Sequence, residues 1–204
     1  MSRLVVVGAG GHAKVVIATC RAAGHTVAGV VDDNAERWGR ELLGAPITGP
    51  VGAVLDDANA IAVLAIGANR IRAQLAQVAR CRFAAIAHPS AVIDPSVVLG
   101  AGAVVFAGAV IQPDAVIGDH AIVNTAASID HDCAIGRFVH LAPGTRLAGN
   151  VAIDEGAFLG IGTVAIPGVR VGAWTTVGAG AAITRSLPAG VVAVGVPARA
   201  RPGP

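Results

Sequence analysis

Written six at a time, residues 115–156 read AVIGDH AIVNTA ASIDHD CAIGRF VHLAPG TRLAGN VAIDEG. The third column is aliphatic throughout, with Ile117, Val123, Ile129, Ile135, Leu141, Leu147 and Ile153. The first column stays small or short, with Ala115, Ala121, Ala127, Cys133, Val139, Thr145 and Val151. Outward from this stretch the register continues through Ile93, Leu99, Val105 and Ile111 on one side and Leu159, Val171, Val177 and Ile183 on the other, with Ala165 its weakest member. A period of six fits neither the 3.6 of a helix nor the 2 of a strand, so the repeating object is built by stacking. Three six-residue sides make a triangular coil, and coils stack at strand spacing, about 4.8 Å. The sixteen sides from Ile93 to Ile183 predict about five coils and a prism about 25 Å tall. Gly100, Gly118, Gly136, Gly160, Gly172 and Gly178 follow inward aliphatics and are read as its bends.

The first 87 residues lack this period. They carry apolar blocks separated by helical stretches, and His88-Pro89 marks the junction. The division is therefore a domain over 1–87, a β-helix over 88–184 and a closing segment with tail over 185–204. A net charge of +2, with 14% charged and 3% aromatic residues, provides neither a basic face nor a stacking platform for nucleic acid. Cys20, Cys81 and Cys133 are odd in number and far apart, which suits reduced thiols rather than disulfides or zinc. No apolar run reaches the ~18 residues of a membrane span, and a Gly-rich turn follows Met1–Val7 at once. The expected location is the cytoplasm.

In the first domain Leu4–Val7 reads as a buried strand, residues 8–14 as a tight turn and Val15–Ala23 as a helix. Val27–Val31 and Ile61–Ile66 read as further strands, a helix follows Asn69, and Phe83–Ile86 is a short last strand. This βαβ order gives a small parallel sheet, half of a Rossmann unit. Gly8, Gly10 and Ala13 fit a loose dinucleotide turn, with Asp32 where a ribose hydroxyl is held. About 85 residues cannot contain the second mononucleotide half, so a mononucleotide fits better than a dinucleotide. The same letters also suit a plain strand-to-helix turn. His12 and Lys14 inside it favour a ligand, because both can meet phosphate or sugar.

The turn Gly8-Ala9-Gly10-Gly11-His12-Ala13-Lys14, the strand end Val31-Asp32-Asp33, the segment Ile66-Gly67-Ala68-Asn69-Arg70-Ile71-Arg72 and the closing Gly195-Val196-Pro197-Ala198-Arg199 together resemble one family. It is the sugar O- and N-acyltransferases of the sialic acid O-acetyltransferase type, nearest in pattern to the N-acetyltransferases of nucleotide-linked 4-amino-4,6-dideoxy sugars used in pilin glycosylation. The resemblance implies a left-handed parallel β-helix, a homotrimer, and acetyl-CoA lying between neighbouring prisms, with no metal. It assigns the catalytic base to His131, with Asp132 standing where the family often has Glu. Gly10, Gly11, His12, Asp32, Asp33 and Ile66 become nucleotide-sugar contacts. His140, Ile161 and Ala179 become acetyl-CoA contacts. Arg185, Arg199 and Arg201 are either CoA-phosphate contacts or solvated tail residues, and His25, His88 and His120 have no match.

Transfer of an acetyl group to an amine requires removal of a proton as the bond forms, which suits an imidazole titrating near neutrality. A carboxylate on its other nitrogen fixes the tautomer, and both Asp130 and Asp132 are candidates. Cys133 occupies a small corner position, so an acyl-enzyme is not expected. His131 and His140 are half a coil apart and fall on opposite sides of one prism. If both serve one site, they come from different subunits. Two other enzymes remain open: a sugar O-acetyltransferase of the sialic acid type, and a zinc protein like the γ-class carbonic anhydrases using His120, His131 and His140.

Overall fold

Leu4-Val5-Val6-Val7 is uninterrupted by polar residues because the sheet it belongs to is covered on both faces. The computed structural model describes residues 3–201, and the ends of the chain (1–2 and 202–204) lie outside the described residues. Strands β1 (Arg3–Val7), β2 (Thr26–Val31), β5 (Ile61–Leu64) and β6 (Arg82–Phe83) form one parallel sheet in the order β2-β1-β5-β6. A small hairpin, β3 (Glu41–Leu42) and β4 (Ala45–Pro46), follows β2. Helix α1 (Gly11–Ala22) covers one face, where Val16, Ile17 and Cys20 meet Leu4, Val6, Val30 and Val63. Helices α2 (Gly52–Leu55) and α3 (Asn69–Val78) cover the other, over Val7, Val31 and Leu64.

From Ile86 onward the chain is a left-handed parallel β-helix of two-residue rungs. Each inward aliphatic pairs with the one eighteen residues later, as Ile117 with Ile135, so like stacks on like inside the prism. The prism is taller than five coils. One ladder contains seven parallel strands, from Ile86–Ala87 to Val192–Val194, with Arg199–Arg201 added antiparallel. Six intervals of about 4.8 Å make it about 29 Å high. The extra rungs lie where the aliphatic series is irregular: Ala87 precedes it, and Leu187 and Ala193 resume it past a break. The segment read as one strand, Phe83–Ile86, is split. Its first half ends the domain sheet, and Ile86 opens the first ladder by donating its N–H to the Ala103 carbonyl at 2.9 Å.

The bends also differ from expectation. From Leu99 to Val177 the left-handed conformation falls three residues after the inward residue, at glycines such as Gly102, Gly108, Gly144 and Gly156 and at the non-glycines Asp114, His120, Ala126, Asp132, Phe138, Asn150 and Trp174. Gly118 and Gly136, directly after the aliphatic, serve close approach instead. A Cβ on Gly118 would stand 2.7 Å from the backbone nitrogen of Arg137 in the next coil.

The first domain sits on the ladder that begins at Ile86. There the outward residues Ile86, Val104 and Ile122 are buried in one cluster with α1 and Phe106, whereas outward Val98 and Val116 on another face are 58% and 48% exposed. The polar connection is Arg72 of α3, 1% exposed. Its guanidinium donates to the carbonyls of Ile66 (2.8 Å), His120 (2.9 Å) and Phe138 (2.8 Å) and to Asn69 Oδ1 (3.0 Å). Asn69 Nδ2 donates to the carbonyls of Gly156 and Ala157. Burial lowers the Arg72 pKa to about 10, which still leaves it charged at neutral pH.

Replacing Arg72 by Leu strands those carbonyls in a dry junction and is expected to cost about 3 kcal/mol or more. Thermal unfolding should show a fall of roughly 10 °C, with Arg72→Lys falling between. An unchanged melting temperature for Arg72→Leu would contradict this account of the junction.

Candidate active site

The amino end of α1 is an open cradle. Gly8 has φ +101°, and a Cβ there would lie 2.6 Å from Ile66 Cδ1, so the turn between β1 and α1 demands glycine at that position. Gly10 and Gly11 have no atom within 4 Å of where a Cβ would stand, which leaves their backbone accessible. The helix carries no side-chain cap and no acidic residue in its first turn, so its free N–H groups suit an anion.

Asp32 and Asp33, expected at ribose and base, first hold backbone. Asp32 Oδ2 accepts the Ala9 N–H at 2.7 Å and an Arg37 N–H at 3.1 Å, while Oδ1 accepts the Asn34 N–H. Partial burial alone would raise the Asp32 pKa, but the Asn34 and Ala9 N–H groups and the Arg37 charge outweigh it and hold the carboxyl below its usual range. Asp33 Oδ1 accepts the Val51 N–H at 3.0 Å.

His12 points from the cradle toward the prism. Its ring lies edge-on to Phe106, with centroids 5.4 Å apart, and 6.0 Å from the ring of His140. Its Nε2 is buried and has no hydrogen-bond partner among the described residues. The His140 ring is fixed on both sides: Nδ1 lies 3.3 Å from the Gly67 carbonyl and Nε2 3.1 Å from Asn124 Nδ2. A carbonyl only accepts and an amide nitrogen only donates, so His140 is neutral with its proton on Nδ1. Burial, and then the Arg72 charge, lower both imidazoles to about 4. His12 and His140 are therefore two neighbouring neutral imidazoles beside the cradle. The residues not foreseen from the sequence are Arg72, Asn69, Phe106 and Asn124's hold on His140. The Ile66–Arg72 segment was a visible signal, but it did not disclose that its side chains reach another domain.

His131 lies elsewhere. It occupies the corner between the rungs Ser128–Ile129 and Ala134–Ile135, opposite the ladder that carries His140. Its side chain is 54% exposed, and Nδ1 is 2.7 Å from Asp132 Oδ2. Asp132 reaches the ring because it takes the left-handed bend, at φ +58°. Asp130 instead accepts the His131 backbone N–H. A cradle for the ring is provided by Gly149, where a Cβ would stand 2.5 Å from His131 Cε1. The hydrogen bond to Asp132 raises the His131 pKa above its ordinary value; desolvation opposes it, and the Asp130 and Asp132 charges add to the rise. Neutral His131 thus presents a free Nε2 lone pair to solvent. Burial pushes the Cys133 thiol up, and its Sγ is tied to the Ala148 carbonyl, so it is no nucleophile.

Ile161 and Ala179 are exposed, one coil apart at a third corner, where the Gly180 N–H donates to the Ile161 carbonyl. Among the described residues no cluster of three or more His, Cys, Asp or Glu is placed to hold an ion. His120 is stacked on Phe138 and edge-on to Phe83, and His140 is enclosed under the first domain. Neither ring can join His131 in a zinc site between subunits. Among the described residues no helix is long and apolar enough to cross a membrane.

Asp132→Asn is expected to lower the His131 pKa, since the carboxylate that favours the imidazolium is gone. An NMR titration of the His131 ring checks this, and an unchanged midpoint would contradict the pairing.

Residues 3–79 match the family model described as the PglD N-terminal domain. GDP-perosamine N-acetyltransferase of Escherichia coli O157:H7 is 36% identical over 119 residues, which are 56% of this chain and 54% of that protein, so the match spans about half the length of this curated relative. Solved structures match over nearly the whole chain. A histidine-to-asparagine mutant of perosamine N-acetyltransferase from Caulobacter crescentus, in complex with CoA and GDP-perosamine, is 47% identical with a TM-score of 0.92, covering 98% of this chain and 96% of that one. The acetyltransferase domain of PglB from Neisseria gonorrhoeae FA1090 is 37% identical with a TM-score of 0.91, covering 98% and 99%. With its small parallel-sheet domain docked on a β-helix and these likenesses across the whole chain, the protein belongs to the family of sugar N-acetyltransferases that carry a PglD-type N-terminal domain.

Proposed function

We propose that the protein transfers the acetyl group of acetyl-CoA to the 4-amino group of a nucleotide-linked amino-deoxy sugar of the GDP-perosamine type. The observation that carries this reading is the His131–Asp132 pair, with Nδ1 held at 2.7 Å and Nε2 free, on a chain 47% identical to a protein solved with CoA and GDP-perosamine. The diphosphate meets the N–H groups at Gly10 and Gly11, and the sugar extends past His12 and Ile66. Uncharged His12 and His140 leave a pocket that does not repel an amine losing its proton. CoA follows the exposed corner at Ile161 and Ala179, whose small and aliphatic residues fit an extended chain.

His131 accepts the proton from the amine at Nε2 as the nitrogen–carbon bond forms. Asp132 holds the tautomer and stabilises the imidazolium, which returns the proton to the departing thiolate. Because His131 and the His12 pocket occupy opposite sides of one prism, the complete site forms between neighbouring chains of a homotrimer. His131 from one subunit then serves the nucleotide sugar held by the next.

Transfer from acetyl-CoA to GDP-perosamine, with UDP- and dTDP-linked 4-amino sugars and free sialic acid in parallel, tests the substrate class. Transfer only to sialic acid would replace this reading by the O-acetyl one. His131→Ala should lower kcat by roughly 10²- to 10⁴-fold, and the rate should rise with pH as His131 loses its proton. Mixed trimers of His131→Ala and His12→Ala chains should recover activity that neither chain has alone. A mixture as inactive as its components would contradict the shared site.

A further inference from the structure

The chain is poor in aromatics: no Tyr, two Trp and four Phe. Five of these six side chains pack against a ring or a guanidinium at or near the domain junction: Phe83 and Phe138 on His120, Phe106 on His12, Phe158 on His140, and Trp174 under Arg70. Trp38 does not. It is 42% exposed, the one aromatic among the exposed large apolar side chains of the described residues.

An exposed indole in an aromatic-poor chain is of interest only if it is fixed near something, and Trp38 is. Its Nε1–H donates to the Asp32 carbonyl at 2.7 Å, and its backbone N–H to the Ala35 carbonyl at 3.1 Å. The next residue, Gly39, has φ +75° and donates its N–H to the Ile47 carbonyl, which ties the turn to the β3–β4 hairpin. Asp32 in turn holds the Ala9 N–H of the glycine turn through its carboxylate. One residue therefore sets both the phosphate cradle and the indole. The ring stands at the carboxyl end of β2, beside the strand whose carboxyl end opens into the cradle, and ligands of open parallel sheets occupy this edge. A nucleotide with its diphosphate at Gly10 and Gly11 must run its ribose and base along the turn 32–38.

Resting on the nucleotide-sugar reading above, we propose that Trp38 is the stacking plate for the nucleobase. Fixing the indole in the free protein removes the rotamer cost of forming the stack. Stacking uses the π-face that every base has, so Trp38 supplies affinity for the nucleoside without selecting the base.

Calorimetric titration with GDP and with inorganic pyrophosphate provides the test. Trp38→Ala should weaken GDP roughly 5- to 100-fold and leave pyrophosphate within about two-fold, since the anion site is unchanged. Trp38→Phe keeps a plate without the indole N–H and should regain most of the GDP affinity. In a Trp174→Phe protein Trp38 is the remaining indole, and GDP should quench its fluorescence saturably while pyrophosphate does not. GDP binding as tight to Trp38→Ala as to the unaltered protein overturns this inference alone. Failure of the unaltered protein to bind GDP, UDP or dTDP overturns it together with the nucleotide-sugar reading.

Discussion

The Arg72 guanidinium is enclosed at the junction of the two domains with no carboxylate beside it among the described residues, and the carbonyls of Ile66, His120 and Phe138 hold it with Asn69 Oδ1. A buried cation solvated by carbonyl dipoles tolerates little displacement, because each dipole lost exposes charge in a dry environment. Two of these carbonyls belong to β-helix bends, at His120 and Phe138, and one to the loop after β5. Arg72 therefore fixes the distance between the first domain and the prism. The loop it holds also presents the Gly67 carbonyl to His140 and the Ile66 side chain to Gly8. The same charge contributes to keeping His12 and His140 neutral. Arg72 thus acts both in docking and, behind burial, in the pocket's electrostatics.

The prism supplies the second constraint. Its three faces are occupied differently: one carries the first domain, and its outward Ile86, Val104 and Ile122 are buried for that reason. The corner opposite carries His131 and Asp132, exposed and paired. A rigid triangular rod cannot bring its own opposite sides together, so a chemistry that needs both must recruit a second rod. The proposed trimer would supply that second rod, and the bend that turns Asp132 to φ +58° is the local strain that points a carboxylate at the ring.

Most of the fold was legible because packing imposed a period on it. Ile117, Val123 and Ile129 occupy one phase since each must enter the same aliphatic stack. The same logic separated the helix from the first domain, and the parallel sheet followed from its strand and helix order. The bends are not at the expected Gly100, Gly118 and Gly136, because glycine has two uses. At those positions it admits the next coil's backbone, whereas the left-handed turns accept His120, Phe138 and Trp174. The ends of the prism are hidden in the sequence because Ala87 and Ala193 fill the ladder without a large side chain. In the site, a resemblance pointed to His131, His12 and Asp132, and local geometry chose Asp132 over Asp130. Arg72 and Trp38 were not legible, since the partners of Arg72 lie 48 and 66 residues away and Trp38's exposure is a property of the folded surface.

The shared site turns on where the base lies relative to the sugar. A crystal structure of the protein with CoA and GDP-perosamine measures it. The expected result is a 4-amino nitrogen within hydrogen-bond reach of His131 Nε2 from one subunit, while Gly10, Gly11 and His12 of a neighbouring subunit hold the same nucleotide sugar. A sugar nucleotide bound at the cradle with its amine far from every His131 in the assembly would contradict it.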